Sequence, residues 1–227
     1  MMTNLFTQFS IPTIMGLSLL PITLFYPLML INLSQKRLKS SRLITLTSWL
    51  TKNIIKYLMP TSTSPTHKWT PILTSLILLI LTINILGMLP YTFTPTTQLS
   101  LTLSLALPLW LGTVLTGLRT QPTKTMAHLL PLGTPIPLIP ILIVVETISL
   151  IIRPLALGVR LTANLTAGHL LLQLISTTSL TTTMIFPSLT LMPTITLMLF
   201  TILEIAVAMI QAYVFTLLLI LYLQENS

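Results

Sequence analysis

Apolar residues fall in long runs along this chain, and two of the runs also carry charge. Residues 11 to 33 form the first run. Pro12, Pro21 and Pro27 interrupt it, but lipid-embedded helices tolerate proline, so a membrane span is expected. Residues 43 to 59 differ: Leu43, Leu46, Leu50, Ile54 and Leu58 recur at helical spacing, while Lys52 and Lys56 lie on another side. Trp49 and Tyr57 suit a headgroup layer. The pattern predicts an amphipathic helix on the membrane surface. A short span there would hold both lysines in hydrocarbon.

A polar linker at 60 to 69 leads to a helical hairpin over 70 to 118. Its first span closes at Gly87 and Pro90, its turn is uncharged, and Arg119 and Lys124 end its second. Residues 131 to 140, P-L-G-T-P-I-P-L-I-P, are expected as a stiff non-helical loop. Two long helices then occupy 138 to 223, joined by an uncharged connector at 177 to 193 that contains Pro187 and Pro193. If mostly helical, residues 141 to 177 run about 55 Å and the last helix about 45 Å, against a hydrocarbon core of about 30 Å. Both must tilt. The pattern thus predicts an all-α integral membrane protein. Five membrane-embedded helices and one amphipathic surface helix make a single domain, with the last two helices long and steeply tilted.

Composition agrees and removes several function classes. The chain of 227 residues is 53% hydrophobic and 6% charged, with mean hydropathy +0.94, which excludes an ordinary soluble domain. A formal charge of +8 would suggest nucleic acid in a soluble protein. Here Lys36, Arg37, Lys39, Arg42, Lys52, Lys56, Lys68, Arg119 and Lys124 all fall in loops on one side of a five-span topology. The positive-inside rule then places the N-terminus outside and the C-terminus inside, and no nucleic-acid partner is expected. There is no cysteine, and His67, His128 and His169 lack metal-ligand spacing, so neither a metal nor another cofactor is expected. Residues 1 to 10 carry no side-chain charge, so no presequence is expected.

The charges inside the apolar runs carry the chemistry, because ionisable groups at membrane depth mark function. On a helical wheel Arg160 stands in a stripe with Ala156, Ala163 and Ala167, and small stripes let another helix approach. No acid lies one turn either side of it, so its partner must come from another helix, another chain or trapped water. Glu146 lies about 21 Å before Arg160 along the axis and His169 about 13 Å after it. Glu204 and Gln211 share one face of the last helix, where antiparallel packing could set them beside His169 or Asn164. A purely structural set of ion pairs stays open on these residues alone, and Arg153 could simply snorkel.

The runs R-L-T-A-N-L-T-A-G-H (160 to 169) and E-I-A-V-A-M-I-Q-A-Y-V-F (204 to 215) resemble subunit a of the F-type ATP synthase membrane sector. The runs P-Y-T-F-T-P-T-T-Q-L-S and P-L-I-P-I-L-I-V-V-E-T-I-S-L, with the chain length, resemble its mitochondrially encoded vertebrate form. The resemblance implies a multi-pass subunit of the mitochondrial inner membrane, its N-terminus in the intermembrane space and its C-terminus in the matrix. It implies as partners a ring of hairpin c-type subunits carrying an intramembrane carboxylate, other stator subunits of the membrane sector, and the bilayer. The subunit would conduct protons and would not be an enzyme on its own. The essential arginine of the family maps onto Arg160. His169, Glu204, Asn164 and Gln211 match a proton path from the intermembrane space, and Glu146 matches one to the matrix. Arg153 departs from the family pattern. A secondary transporter and a structural anchor are the alternatives; a transporter would need internal repeats or broken short spans, and neither is evident.

Overall fold

The computed structural model describes residues 5–14, 16–31, 42–58, 66–89, 92–127, 135–186, 188 and 190–226. The basic residues Lys36, Arg37 and Lys39, most of the polar linker, Pro90, His128 and Pro187 lie outside them. The helices are α1 (Leu20–Ile31), α2 (Arg42–Leu58), α3 (Thr70–Gly87), α4 (Leu99–Thr120), α5 (Pro122–Ala127), α6 (Ile139–Ile185) and α7 (Leu191–Asn226). Among the described residues α3, α4, α6 and α7 are long and apolar enough to cross a membrane. The only described strands are β1 (Thr13–Ile14) and β2 (Leu17–Ser18), so the chain is an all-α membrane protein.

The first apolar run departs from expectation. Its helix begins at Leu20, not at residue 11. Before it, Thr13 pairs with Ser18 and Ile14 with Leu17 in an antiparallel ladder. Two local features explain the break. Gly16 takes φ 80°, a left-handed conformation that suits glycine and turns the chain. Pro21 sits in the first turn of α1, where its missing N–H costs no hydrogen bond. The described helix of 12 residues is about 18 Å long.

The surface helix follows the sequence pattern closely: α2 covers Arg42–Leu58 and leaves Leu46, Trp49, Leu50 and Tyr57 exposed. The connection from α3 to α4 includes a 3-10 turn, Pro95–Thr97, with all three residues buried. Thr97 Oγ1 donates to the Thr94 carbonyl at 2.7 Å, which satisfies a hydroxyl in an uncharged turn.

Helix α6 is the longest element, at 47 residues, and continues through Pro154. It also runs past residue 177, where a broken connector was expected. The stretch T-T-S-L-T-T-T contains neither glycine nor proline. Thr177, Thr178, Ser179, Thr181, Thr182 and Thr183 each donate a hydroxyl to a carbonyl of the preceding turn. That pattern satisfies the hydroxyls without leaving the helix.

The chain divides into two compact units. One comprises Met1–Leu33, Leu78–Leu99 and Arg160–Tyr213. Its core holds Ile80 and Ile83 of α3, Leu161 and Leu165 of α6, and Ala208 and Ala212 of α7. Asn84 of α3 is buried there, its Nδ2 3.5 Å from the Ala208 carbonyl. Gln98 ties the chain start to this unit by donating to the Phe9 carbonyl at 2.7 Å. The other unit comprises Ser34–Ile77, Ser100–Val159 and Val214–Ser227. Leu73, Ile77, Leu101, Ala106, Leu157, Phe215, Leu219 and Leu223 are buried within it.

In this second unit the Trp69 indole lies over Gly112 of α4, where an added Cβ would stand 3.0 Å from ring atom Cη2. We expect Gly112→Val to displace the indole at an overpacking cost of about 1–3 kcal/mol. In a chain with Trp49 and Trp110 changed to Phe, the fluorescence emission of Trp69 should shift; an unchanged spectrum would contradict this packing.

Candidate functional site

Within the first unit, α6 and α7 bring together a buried polar cluster. His169 Nδ1 lies 3.6 Å from Glu204 Oε1. Glu204 is 4% exposed, which places a carboxyl group in an apolar helix interface. Both its oxygens, His169 Nε2 and Gln173 Oε1 are buried without a hydrogen-bond partner among the described residues. Such groups are costly in an apolar setting unless something satisfies them. About two turns away, Asn164 Nδ2 donates to Gln211 Oε1 at 2.9 Å, tying the helices together. Thus Glu204 and Gln211, read from sequence as one face of α7, meet His169 and Asn164 of α6.

A cavity of about 330 Å³ opens beside the cluster, lined by Asn164, Ala167, Gly168, Phe200, Leu203 and Glu204 among others. It is large enough for several water molecules, each needing polar partners. Asn164 supplies such a partner at its wall. Gly168 admits the carboxylate: a Cβ there would stand 2.7 Å from Glu204 Oε1. Sequence reasoning passed over Gly168, although a glycine inside a helix is itself a signal of close approach. It also left Gln173 off the candidate site, although the i, i+4 spacing places it on the face of His169.

Arg160 is different. It is exposed, and Ala163 and Ala167 after it on α6 are exposed as well. Among the described residues no carboxylate comes within ion-pair distance of its guanidinium. The side chain stands on an apolar helix face that also exposes Val159, Leu171 and Leu174. An always-charged group on such a face needs a partner or water.

Glu146 belongs to the second unit and has a partner of its own. Its Oε1 lies 3.7 Å from Nη2 of Arg153. Nη1 of that arginine donates to Glu225 Oε2 at 2.6 Å, and the guanidinium sits 5.4 Å from the Tyr222 ring centroid. The sequence offered no sign of the Arg153–Glu225 pair, whose members are 72 positions apart.

If Gly168 makes room for Glu204, Gly168→Ala should destabilise the chain by about 1–3 kcal/mol. The loss should shrink in a Glu204→Ala background, where no carboxylate meets the new methyl. Thermal unfolding of the four chains in detergent gives the coupling; strict additivity would contradict the contact.

Comparison with known proteins identifies the family to which the chain belongs. The family model "ATP synthase A chain" matches residues 13–224. The ATP synthase F(0) complex subunit a of Salmo salar is 56% identical over 226 residues, covering 100% of both chains. That of Struthio camelus is 57% identical over 223 residues, covering 98% of each. That of Tropidurus hispidus is 59% identical over 212 residues, covering 93% of this chain and 100% of the relative. A match over nearly the whole chain, to an all-helical membrane family, places this protein in the ATP synthase A chain family.

Proposed function

We propose that this chain is the proton-conducting stator subunit of a mitochondrial F-type ATP synthase. It is a non-catalytic part of the complex, set in the inner membrane with its N-terminus in the intermembrane space and its C-terminus in the matrix. Its partners are a ring of hairpin c-type subunits, each with one intramembrane carboxylate, and the other stator subunits. The observation that carries this reading is the contrast between two groups. Glu204 is buried against His169 beside a cavity, while Arg160 stands exposed on a small-residue stripe with no carboxylate of its own among the described residues.

The chemistry follows from that contrast. Protons from the intermembrane space enter on the His169 and Glu204 side and reach a carboxylate of the ring, with Asn164 and Gln211 as polar groups lining the way nearer Arg160. Once neutral, that carboxylate enters lipid at far lower cost than its anion. After nearly a full turn of the ring it releases its proton on the Glu146 side, toward the matrix. Arg160 stands between the two paths. Its fixed charge favours the ionised ring carboxylate and repels a proton crossing directly. The small neighbours Ala156, Ala163 and Ala167 let the ring helix come close enough for this contact. Each charge moved across the membrane gains about 2.3 kcal/mol per 100 mV, so several transfers must combine for one ATP and a leak would waste them. Helices longer than the bilayer is thick, tilted in it, keep the two paths apart.

Two substitutions test the reading. Arg160→Ala should abolish ATP synthesis driven by a proton gradient while the complex still assembles; synthesis at the unaltered rate would refute the stator role. Glu204→Gln should slow proton uptake by roughly a hundredfold, the scale of losing a positioned proton-transfer group. Loss of assembly with no specific loss of proton flux would point to an anchor instead.

A further inference from the structure

The second unit holds a charge cluster that the proposed proton path uses only in part. Arg153 and Glu146 lie two turns apart on one face of α6. Glu225 and Tyr222 lie one turn apart near the end of α7. One guanidinium therefore faces two carboxylates, and it shares itself unequally. The contact with Glu225 is a direct charge-assisted hydrogen bond at 2.6 Å. The contact with Glu146 is 3.7 Å, beyond hydrogen-bond range. Tyr222 presents its ring to the same guanidinium and helps hold it toward α7.

We propose that Glu225 is a positioning residue for proton transfer: by holding Arg153 in the short ion pair, it leaves Glu146 only loosely paired and able to take up and release protons. This rests on the reading of Glu146 as part of the matrix-side path. The reasoning is competitive. A carboxylate locked to a guanidinium is a poorer proton acceptor than one without a close partner. Without Glu225, the shortest move open to Arg153 is toward Glu146, on its own helix and already 3.7 Å away. The acidic end of the chain thus acts on the path without lying in it. A simple clamp between α6 and α7 would behave differently, because either partner's loss would break it equally.

The experiment uses the intact complex in inner-membrane vesicles and measures ATP synthesis under an imposed proton gradient, normalised to the amount of assembled complex. Glu225→Gln should slow synthesis by about tenfold, the effect of a carboxylate gaining a guanidinium partner. Arg153→Gln and the double variant Arg153→Gln with Glu225→Gln should both stay within about twofold of the unaltered rate, since neither leaves an arginine to capture Glu146. Equal losses in the two single variants would mean a clamp and overturn the proposal. An unaffected Glu225→Gln, or a double variant as slow as Glu225→Gln, would overturn it as well. Glu146→Gln is the control: if it synthesises ATP at the unaltered rate, the matrix-side path itself is wrong, whatever the other variants do.

Discussion

Hydrocarbon does not solvate charge. A charged side chain at membrane depth has to be paired, reached by water, or met by a charge from another molecule. Helices α6 and α7 place their charges in three different settings. Arg153 is paired twice, with Glu225 and more loosely with Glu146. Glu204 and His169 face one another beside a cavity that water can fill. Arg160 has neither arrangement among the described residues and is exposed on a face of small and apolar side chains. The rest of the fold makes these settings possible. Leu161, Leu165, Ala208 and Ala212 bring the two helices close, and Gly168 leaves space for a carboxylate between them.

The same constraint connects structure to function. A buried carboxyl group with unsatisfied oxygens is costly as a static feature, and groups of this kind cluster at functional sites. An exposed arginine on a stripe of alanines is poorly placed for stability in lipid but well placed to meet a carboxylate that arrives from outside. Each feature looks like a defect in an isolated chain. Both make sense under the proposed function, in which the subunit works against a moving partner.

Much of this was legible in the sequence because membrane helices leave strong patterns. The apolar period with Lys52 and Lys56 off to one side marked α2 almost to the residue. The charges Arg160, His169 and Glu204 stood out against an apolar background, as did the alanine stripe. Three things were not legible. Prolines at 12, 21 and 27 read as tolerated interruptions of a span, whereas Gly16 and Pro21 turn the chain and start the helix at Leu20. The connector after residue 177 read as broken, whereas back-bonded threonines extend α6 to Ile185. The pairing of Arg153 with Glu225 depends on how two helices meet, and neither residue advertises it; Arg153 alone looked like a snorkelling side chain. Local preference decides where such helices run, while long-range packing decides which charges meet.

The central claim is that the Arg160 face of α6 meets a carboxylate-bearing helix of another chain. Cross-linking tests it most directly, with Ala163→Cys on the exposed stripe and Leu161→Cys in the buried core as its counterpart. Cysteines scanned along the carboxylate-bearing helix of the small ring subunit supply the other half of each bond. The account predicts a disulfide from Ala163→Cys to ring positions near the carboxylate, and none from Leu161→Cys. Absence of any adduct from Ala163→Cys, or equal adducts from both positions, would contradict it.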